Sequence, residues 1–400
     1  MRAGSGHSGE TDRQRIWRKA WEWEPLRYSL ILFLILRLAL SSWAVLVLAT
    51  VPGMTNPDEL ARPYYGIEPV DEGVAGWLLG PWQRFDTLHY LRLALYGYEP
   101  NTAHTVFAPL YPLLIRGLGS LLGGRHLLAA LSVSNLSALG YFIVLFMLAK
   151  EEIGRRATRR ALLYTAVFPT GFFLLAAYTE PLFLLLAVSA ILAARRERPW
   201  VAGTLGLLAS LTRLPGWILA LPLAYEYLRR RDFNLQRLDW SAASLVLPPL
   251  GMAGFLGWRR WAGLSPLARV YADHWLQSAD WVWSDLITSV QHILTGQATL
   301  VLVLNLVCAG LLLATAAIAL RRLSLTYSLY VVPLLLFTLT ASSAGRPLNA
   351  LSRYTLVFFP MFMLLGRLGR RRWVNRLILY LSTPLLLYLS GQFFLWGWVA

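Results

Sequence analysis

Long apolar runs separated by clusters of arginine dominate this chain. Segments 28–50, 126–149, 241–259, 299–320 and 376–397 carry almost no charge. A run of about 20 apolar residues matches the hydrocarbon thickness of a bilayer, about 30 Å. Backbone N–H and C=O groups in that layer have only one another as partners, which restricts such a run to helix. Composition agrees: 56% of the 400 residues are hydrophobic and 14% are charged, against about 25% charged in soluble domains. The chain therefore reads as an all-α polytopic membrane protein. Its net charge of +16 invites a nucleic-acid reading. The arginines, however, are confined to short stretches between apolar runs, which is the pattern of the positive-inside rule. The single cysteine, Cys308, lies inside an apolar run, so it forms no internal disulfide, and no metal-type Cys/His spacing occurs. No cleavable signal peptide is expected, because the first 27 residues are polar and basic and the run after them is too long.

Placing every arginine cluster in the cytoplasm fixes the rest of the topology. Residues 1–27 are read as a cytoplasmic basic tail and 28–400 as one transmembrane domain. Segment 28–50 leaves the cytoplasm and 126–149 returns to the basic stretch Lys150–Arg160. The apolar stretch 107–122 then cannot be a full crossing, and reads as a re-entrant or juxtamembrane helix on the outer side. Arg195-Arg196 and Arg229-Arg230-Arg231 must also lie inside. That requires a pair of crossings broken at Tyr178-Thr179-Glu180-Pro181, and another pair broken at Thr212-Arg213-Leu214-Pro215-Gly216. Pro and Gly at both breaks interrupt helix. Each arm, about 14 residues long, rises only about 21 Å, short of the ~30 Å core. These hairpins are expected to end below the outer surface and leave a water-filled recess. With 325–341 and 352–367 the count reaches about eleven crossings, with large outer segments at 51–125 and 260–298.

The polar stretch Arg84-Phe85-Asp86-Thr87-Leu88-His89-Tyr90 lies in the first outer segment. In a helix, Asp86, His89 and Tyr90 share one face. A carboxylate, an imidazole and a phenol there suit proton chemistry; the alternative is a surface helix capped by Asp86. The topology also brings Tyr178, Glu180, Arg213, Asp273, His274, Arg346 and Arg353 to the outer side. Glu180, Arg213 and Arg353 flank or interrupt apolar runs, where ionisable groups are costly and are functional candidates by default. A carboxylate such as Asp86 can take a proton from an attacking hydroxyl. Arg213 and Arg353 can hold a phosphate with paired hydrogen bonds. The bland alternative for these groups is an intramembrane ion pair of Glu180 or Asp86 with the arginines. Asp58-Glu59 is a rival acidic pair, more simply a solvated turn. Asp273-His274 supplies two metal ligands without a third, so a divalent metal is possible but not indicated. A secondary transporter or a flippase for lipid-linked sugars is the reading from another class.

Asp86-Thr87-Leu88-His89-Tyr90, continuing through Tyr96-Gly97-Tyr98 to Phe107-Ala108-Pro109-Leu110-Tyr111-Pro112, resembles the opening motif of PIG-V-type mannosyltransferases, members of the GT-C glycosyltransferases. Phe168-Pro169-Thr170 with Tyr178-Thr179-Glu180-Pro181 is similar to their second motif. Leu211-Thr212-Arg213 is similar to the third, and Ser352-Arg353-Tyr354 with Phe359-Pro360 to the last. A Trp often precedes the family's Asp; here Arg84-Phe85 does. The resemblance implies a GT-C-like helical bundle and an inverting transfer of mannose, or a related hexose, from a polyprenyl-phosphate donor to a hydroxyl acceptor on a glycan, lipid or protein. It implies catalytic roles for Asp86 (as base) and His89, donor-phosphate contacts from Arg213, Arg353 and Tyr354, and substrate contacts from Tyr90, Tyr178 and Glu180. The site would face the extracytoplasmic side of the cell membrane.

Overall fold

Five helices are long and apolar enough to cross a membrane in the computed structural model, which describes residues 23–51, 58 and 62–399. They are Glu24–Thr50, His126–Ile153, Trp240–Trp261, Leu300–Arg322 and Arg372–Phe394, each on an apolar run of the sequence. A sixth is possible if Leu351–Val357 and Phe359–Leu368, bent by 82° at their junction, form one span. The other expected crossings fall on short helices. Arg155–Ala166 and Pro199–Ser210 have 12 residues each, Glu180–Arg195 has 16, Ala220–Arg229 has 10 and Leu325–Leu339 has 15. The arm expected after Arg160 is helical only to Ala166 and then runs through turns and the 3-10 piece Gly171–Leu174, and the count of eleven is not reached by length alone. The protein is an integral membrane protein. The stretch expected to be re-entrant forms a helix of 12 residues, Leu110–Leu121. The tail before residue 23 lies outside the described residues.

His126–Ile153 is the central post. Glu180–Arg195, Leu110–Leu121 and Glu24–Thr50 all pack on it, around fully buried Tyr141, Phe142 and Phe146. Burial of side chains of this size supplies most of the packing energy of such a core. Gly154, at φ 75, makes the reversal into Arg155–Ala166, a backbone angle that other residues adopt at a cost.

The arginine clusters meet at one end of the bundle, although they come from distant parts of the chain. Glu24 pairs with Arg155 at 2.6 Å and with Arg159 at 2.5 Å. Arg195 bridges Glu152 (3.2 Å) and Glu226 (3.0 Å), and Arg196 pairs with Glu151 (2.9 Å). Arg367 donates to the carbonyls of Arg322 and Glu152. The topology reading required this grouping, because one compartment had to receive all the clusters.

Two segments expected on the outer side are joined by a short antiparallel ladder. β1 (Gln277–Ala279) pairs with β2 (Ala341–Ser343) in the register Gln277 to Ser343. Buried Asp285 reinforces the joint, accepting from Ser342 Oγ at 2.6 Å and from the Leu348 N–H at 2.7 Å. The helix Leu267–Trp275 leans on residues 103–106, where Trp275 Nε1 donates to the Ala103 carbonyl at 3.0 Å.

Candidate functional site

Asp86 opens the helix Asp86–Tyr96, and its carboxylate does not cap it. The carboxylate accepts a hydrogen bond from Arg353 Nη1 at 2.7 Å, across 267 positions of sequence. The capped-surface-helix alternative therefore fails, and eight of the eleven helix residues are buried. Both partners follow backbone in the left-handed region. Phe85 has φ 50, and Leu348 and Ala350, just before Arg353, have φ 55 and 59. Each such residue costs on the order of 1–3 kcal/mol and persists only where surrounding structure holds it. Phe85 is held by the rings of Phe393, Trp396 and Trp398.

Arg213 enters from a different element. The chain reverses after Pro199–Ser210, and Gly216 makes the reversal possible: a Cβ there would sit 2.4 Å from the Ser210 nitrogen. The turn brings Arg213 Nη1 to 2.9 Å from Thr179 Oγ1 and to 2.7 Å from Glu180 Oε1. Glu180 lies also 3.5 Å from Arg353 Nε. The contacts to Glu180 have ion-pair distance without hydrogen-bond geometry, and both of its oxygens lack a hydrogen-bond partner among the described residues. Tyr354 sits between the two arginines, its ring centroid 5.4 Å from the Arg213 guanidinium and 5.1 Å from that of Arg353. Tyr90 Oη is 3.3 Å from Thr179 Oγ1, and the Asp86 N–H donates to Tyr178 Oη at 3.3 Å. Two carboxylates and two guanidiniums thus form one chain, Asp86–Arg353–Glu180–Arg213, drawn from four separate segments.

A cavity of about 430 Å³ opens beside this chain of charges. Asp86, Tyr90, Arg213, Arg353 and Tyr354 line its polar end, with Thr179 and Tyr271. Gln277, Ser278 and Ala279 of β1 line it from the outer segment. Leu334, Phe337 and Thr338, near the end of Leu325–Leu339, form a mainly apolar wall. Phe337 is 39% exposed and its neighbour Leu336 49%, so that wall continues onto the outer surface of the bundle.

Of the expected site residues, the structure brings Asp86, Tyr90, Arg213, Arg353 and Tyr354 together on the cavity. Glu180 and Tyr178 lie behind its lining, fully or almost fully buried, and touch the residues that line it. His89 points elsewhere. Its Nδ1 is 2.5 Å from His104 Nδ1, inside a box of Tyr65, Phe107 and Trp275 rings. Burial pushes both imidazoles down to about 3, so the pair is uncharged near neutral pH. Asp273 and His274 are exposed, with Asp273 paired to Arg269, and Arg346 is exposed over the Trp398 ring. Among the described residues no group of three His, Cys, Asp or Glu side chains is placed to hold a metal ion. Asp58 is exposed, its backbone paired with that of Arg62, and Glu59 lies outside the described residues. Sequence reading missed Thr179, Gln277, Ser278, His104 and Asp285. Thr179 stood inside a quoted motif and was within reach; the others carry no local signal.

The family model described as "Mannosyltransferase (PIG-V)" matches residues 27–227, just over half of the chain. GPI alpha-1,6-mannosyltransferase 2 of Mus musculus is 36% identical over 165 residues, which cover 37% of this chain and 32% of that protein. The Rattus norvegicus protein of the same name is 37% identical over 157 residues, covering 35% and 30%. The chain thus spans about a third of the length of the curated relatives it matches. Among solved structures, ArnT from Cupriavidus metallidurans bound to undecaprenyl phosphate is similar at a TM-score of 0.49 and 17% identity, over 87% of this chain and 62% of that one. Arg353 lies beyond the stretch matched by the family model, and it is the fold that sets it against the Asp86 of the opening motif. With that motif, the Tyr178–Pro181 motif and Arg213 all inside residues 27–227, the chain belongs to the PIG-V mannosyltransferase family.

Proposed function

We propose that this protein is a hexosyltransferase that moves mannose, or a related hexose, from a polyprenyl-phosphate donor to a hydroxyl acceptor. The observation that carries the reading is the cavity. It joins a polar end bearing a carboxylate and two arginines to an apolar wall that runs out to the bundle surface. A lipid-linked sugar phosphate has the same two halves. Its isoprenoid tail suits the wall at Leu334 and Phe337, and its phosphate suits Arg213 and Arg353, which hold their charge at any relevant pH.

In the proposed step the acceptor hydroxyl oxygen attacks C1 of the donor sugar, from the face opposite the phosphate. The C1–O bond to phosphate breaks, the configuration at C1 inverts, and the hydroxyl proton passes to the Asp86 carboxylate. Polyprenyl phosphate leaves with the bonding electrons, its growing charge balanced by the two guanidiniums. Tyr354 and Glu180 fix the arginines, and Tyr90 and Tyr178 order the wall around Asp86. The basic clusters at the other end of the bundle support a cytoplasmic placement for that end, and so an extracytoplasmic site. Residues 28–400 then act as one transmembrane domain.

The test is an assay of purified protein with a polyprenyl-phosphate mannose donor and a panel of hydroxyl acceptors, without any membrane gradient. Transfer is expected, and Asp86→Asn should lower it about 10²–10⁴-fold, while Asp58→Asn keeps most of it. Arg213→Lys or Arg353→Lys keeps the charge and loses the two-pronged contact, so donor affinity should fall in at least one of them. A dead Asp58→Asn beside an active Asp86→Asn refutes the assignment of the base. A need for an ion gradient favours the carrier reading.

A further inference from the structure

The base and the phosphate ligand occupy each other. Asp86 and Arg353 are both cavity-lining groups, and they are spent on one hydrogen-bonded ion pair of 2.7 Å. A carboxylate oxygen turned onto a guanidinium is not turned toward an acceptor hydroxyl, and freeing it means breaking the pair. A guanidinium held by a carboxylate is likewise a poor phosphate ligand until the carboxylate leaves. While the pair is closed, Asp86 Oδ2 and Arg353 Nη1 are both withheld from the proposed reaction.

We propose that the lipid phosphate of the donor displaces Asp86 from Arg353, so that donor binding itself releases the base. This inference rests on the proposed transferase reading. The surroundings are built for such an exchange. Arg353 has carboxylates on two sides, Asp86 at the cavity and Glu180 in the core. The Glu180 side chain is 1% exposed and cannot follow the exchange, so it keeps Arg353 in place when Asp86 lets go. Arg353 Nε has no hydrogen-bond acceptor among the described residues, and the Tyr354 hydroxyl stands 3.4 Å from Nη2. The four charges sum to zero at rest, two arginines against two acids. An incoming singly charged phosphodiester takes the place of the Asp86 carboxylate at Arg353, and Asp86 is then free to turn toward the acceptor and take up its proton as the phosphate leaves. Donor therefore precedes acceptor, and loss of polyprenyl phosphate closes the pair again. A base locked in this way is not available to activate water in the empty site.

The exchange makes a prediction opposite in sign to an ordinary loss of function. Removing the Asp86 carboxylate should raise the affinity for a lipid phosphate, because its competitor for Arg353 is gone. Undecaprenyl phosphate, which cannot transfer a sugar, serves as the probe, in titrations of purified protein in nanodiscs of phosphatidylcholine. Asp86→Asn and Asp86→Ser should each bind it roughly 5- to 10-fold more tightly than wild type, the size expected when one well-formed charge pair is removed from competition. Asp86→Glu keeps a carboxylate and should stay near wild type, and Arg353→Gln should lose most of the binding. Arg353 keeps Glu180 in the neutral variants, so both are expected to fold. The wild-type protein gives a second readout that needs no variant. Methyl α-mannoside, as a minimal hydroxyl acceptor, should bind several-fold better with undecaprenyl phosphate present than without it. Lipid-phosphate affinity that is unchanged or weaker in both neutral variants overturns the exchange, and so does sugar binding indifferent to the lipid. Failure of wild-type protein to bind undecaprenyl phosphate at all overturns the transferase reading itself.

Discussion

Glu180→Gln separates charge from shape at the centre of the site. The Glu180 oxygens have no hydrogen-bond donor among the described residues, so an amide in their place loses little hydrogen bonding. What it loses is the negative charge lying 2.7 Å from Arg213 and 3.5 Å from Arg353. The local sum moves from zero to +1. Arg353 retains Asp86, but Arg213 is left without a carboxylate among the described residues, and its side chain is only 15% exposed. Removing one partner of a buried pair costs about 3–5 kcal/mol. The lower end is expected here, about 3 kcal/mol, because Arg213 also borders the cavity and its water. A thermal or denaturant unfolding series in detergent measures the loss. An anion should then restore stability: a ligand at 100 times its Kd contributes about 2.7 kcal/mol. The variant, with its extra positive charge, should reach that level at a lower undecaprenyl phosphate concentration than wild type. A Glu180→Gln protein as stable as wild type, with no change in its response to the lipid, would refute Glu180 as the charge partner that fixes the two arginines.

Three further outcomes are expected. In a Cys308→Ser background, a cysteine at position 278 should react with an impermeant thiol reagent on intact cells and one at exposed position 156 should not; the reverse pattern refutes the topology. Folded His89 and His104 titrate near 3, against about 6.5 unfolded, so the unfolded chain binds more protons between those values. Stability is therefore complete above about pH 6.5 and falls as pH drops below it, by up to about 1.4 kcal/mol per pH unit per histidine; melting scans from pH 7.5 to 5 check this, and His104→Gln should flatten the slope. Asp285→Ala unpins Ser342 and Leu348 from the segment that carries β1, so KM for the donor should rise more than kcat falls, and an unchanged KM argues against a role for that joint in shaping the cavity.

The spans and the polar ends of this protein were legible because a membrane imposes simple rules. Apolar length marked Glu24–Thr50 and Leu300–Arg322, and arginine clustering correctly grouped Arg155, Arg195 and Arg367 at one end. Convergence of Asp86, Glu180, Arg213 and Arg353 followed from the same bookkeeping of crossings. Pairing did not. That Arg353 sits between Asp86 and Glu180, and Arg213 on Glu180 alone, is set by how distant segments pack, which hydropathy does not encode. His89 shows the other limit. Its spacing from Asp86 predicts a shared face, yet aromatic neighbours from the segments at 65, 107 and 275 take it into their own box. The β1–β2 joint was illegible for a third reason: strands of three residues carry too little pattern to stand out in a loop.

The short helices around Arg213 have a mechanical consequence for the lipid outside the protein. Pro199–Ser210, with 12 residues, rises about 18 Å, well under the ~30 Å of hydrocarbon on either side. Where such a short helix meets lipid, a bilayer adapts by thinning, at a cost of fractions of a kcal/mol per Å of mismatch. Thinning there would lower the headgroup plane toward the guanidiniums. A long isoprenoid lipid can then present its phosphate at the recess with its tail still dissolved among neighbouring chains. On the proposed reading, part of the work of drawing the donor into place is then done in the shape of the membrane.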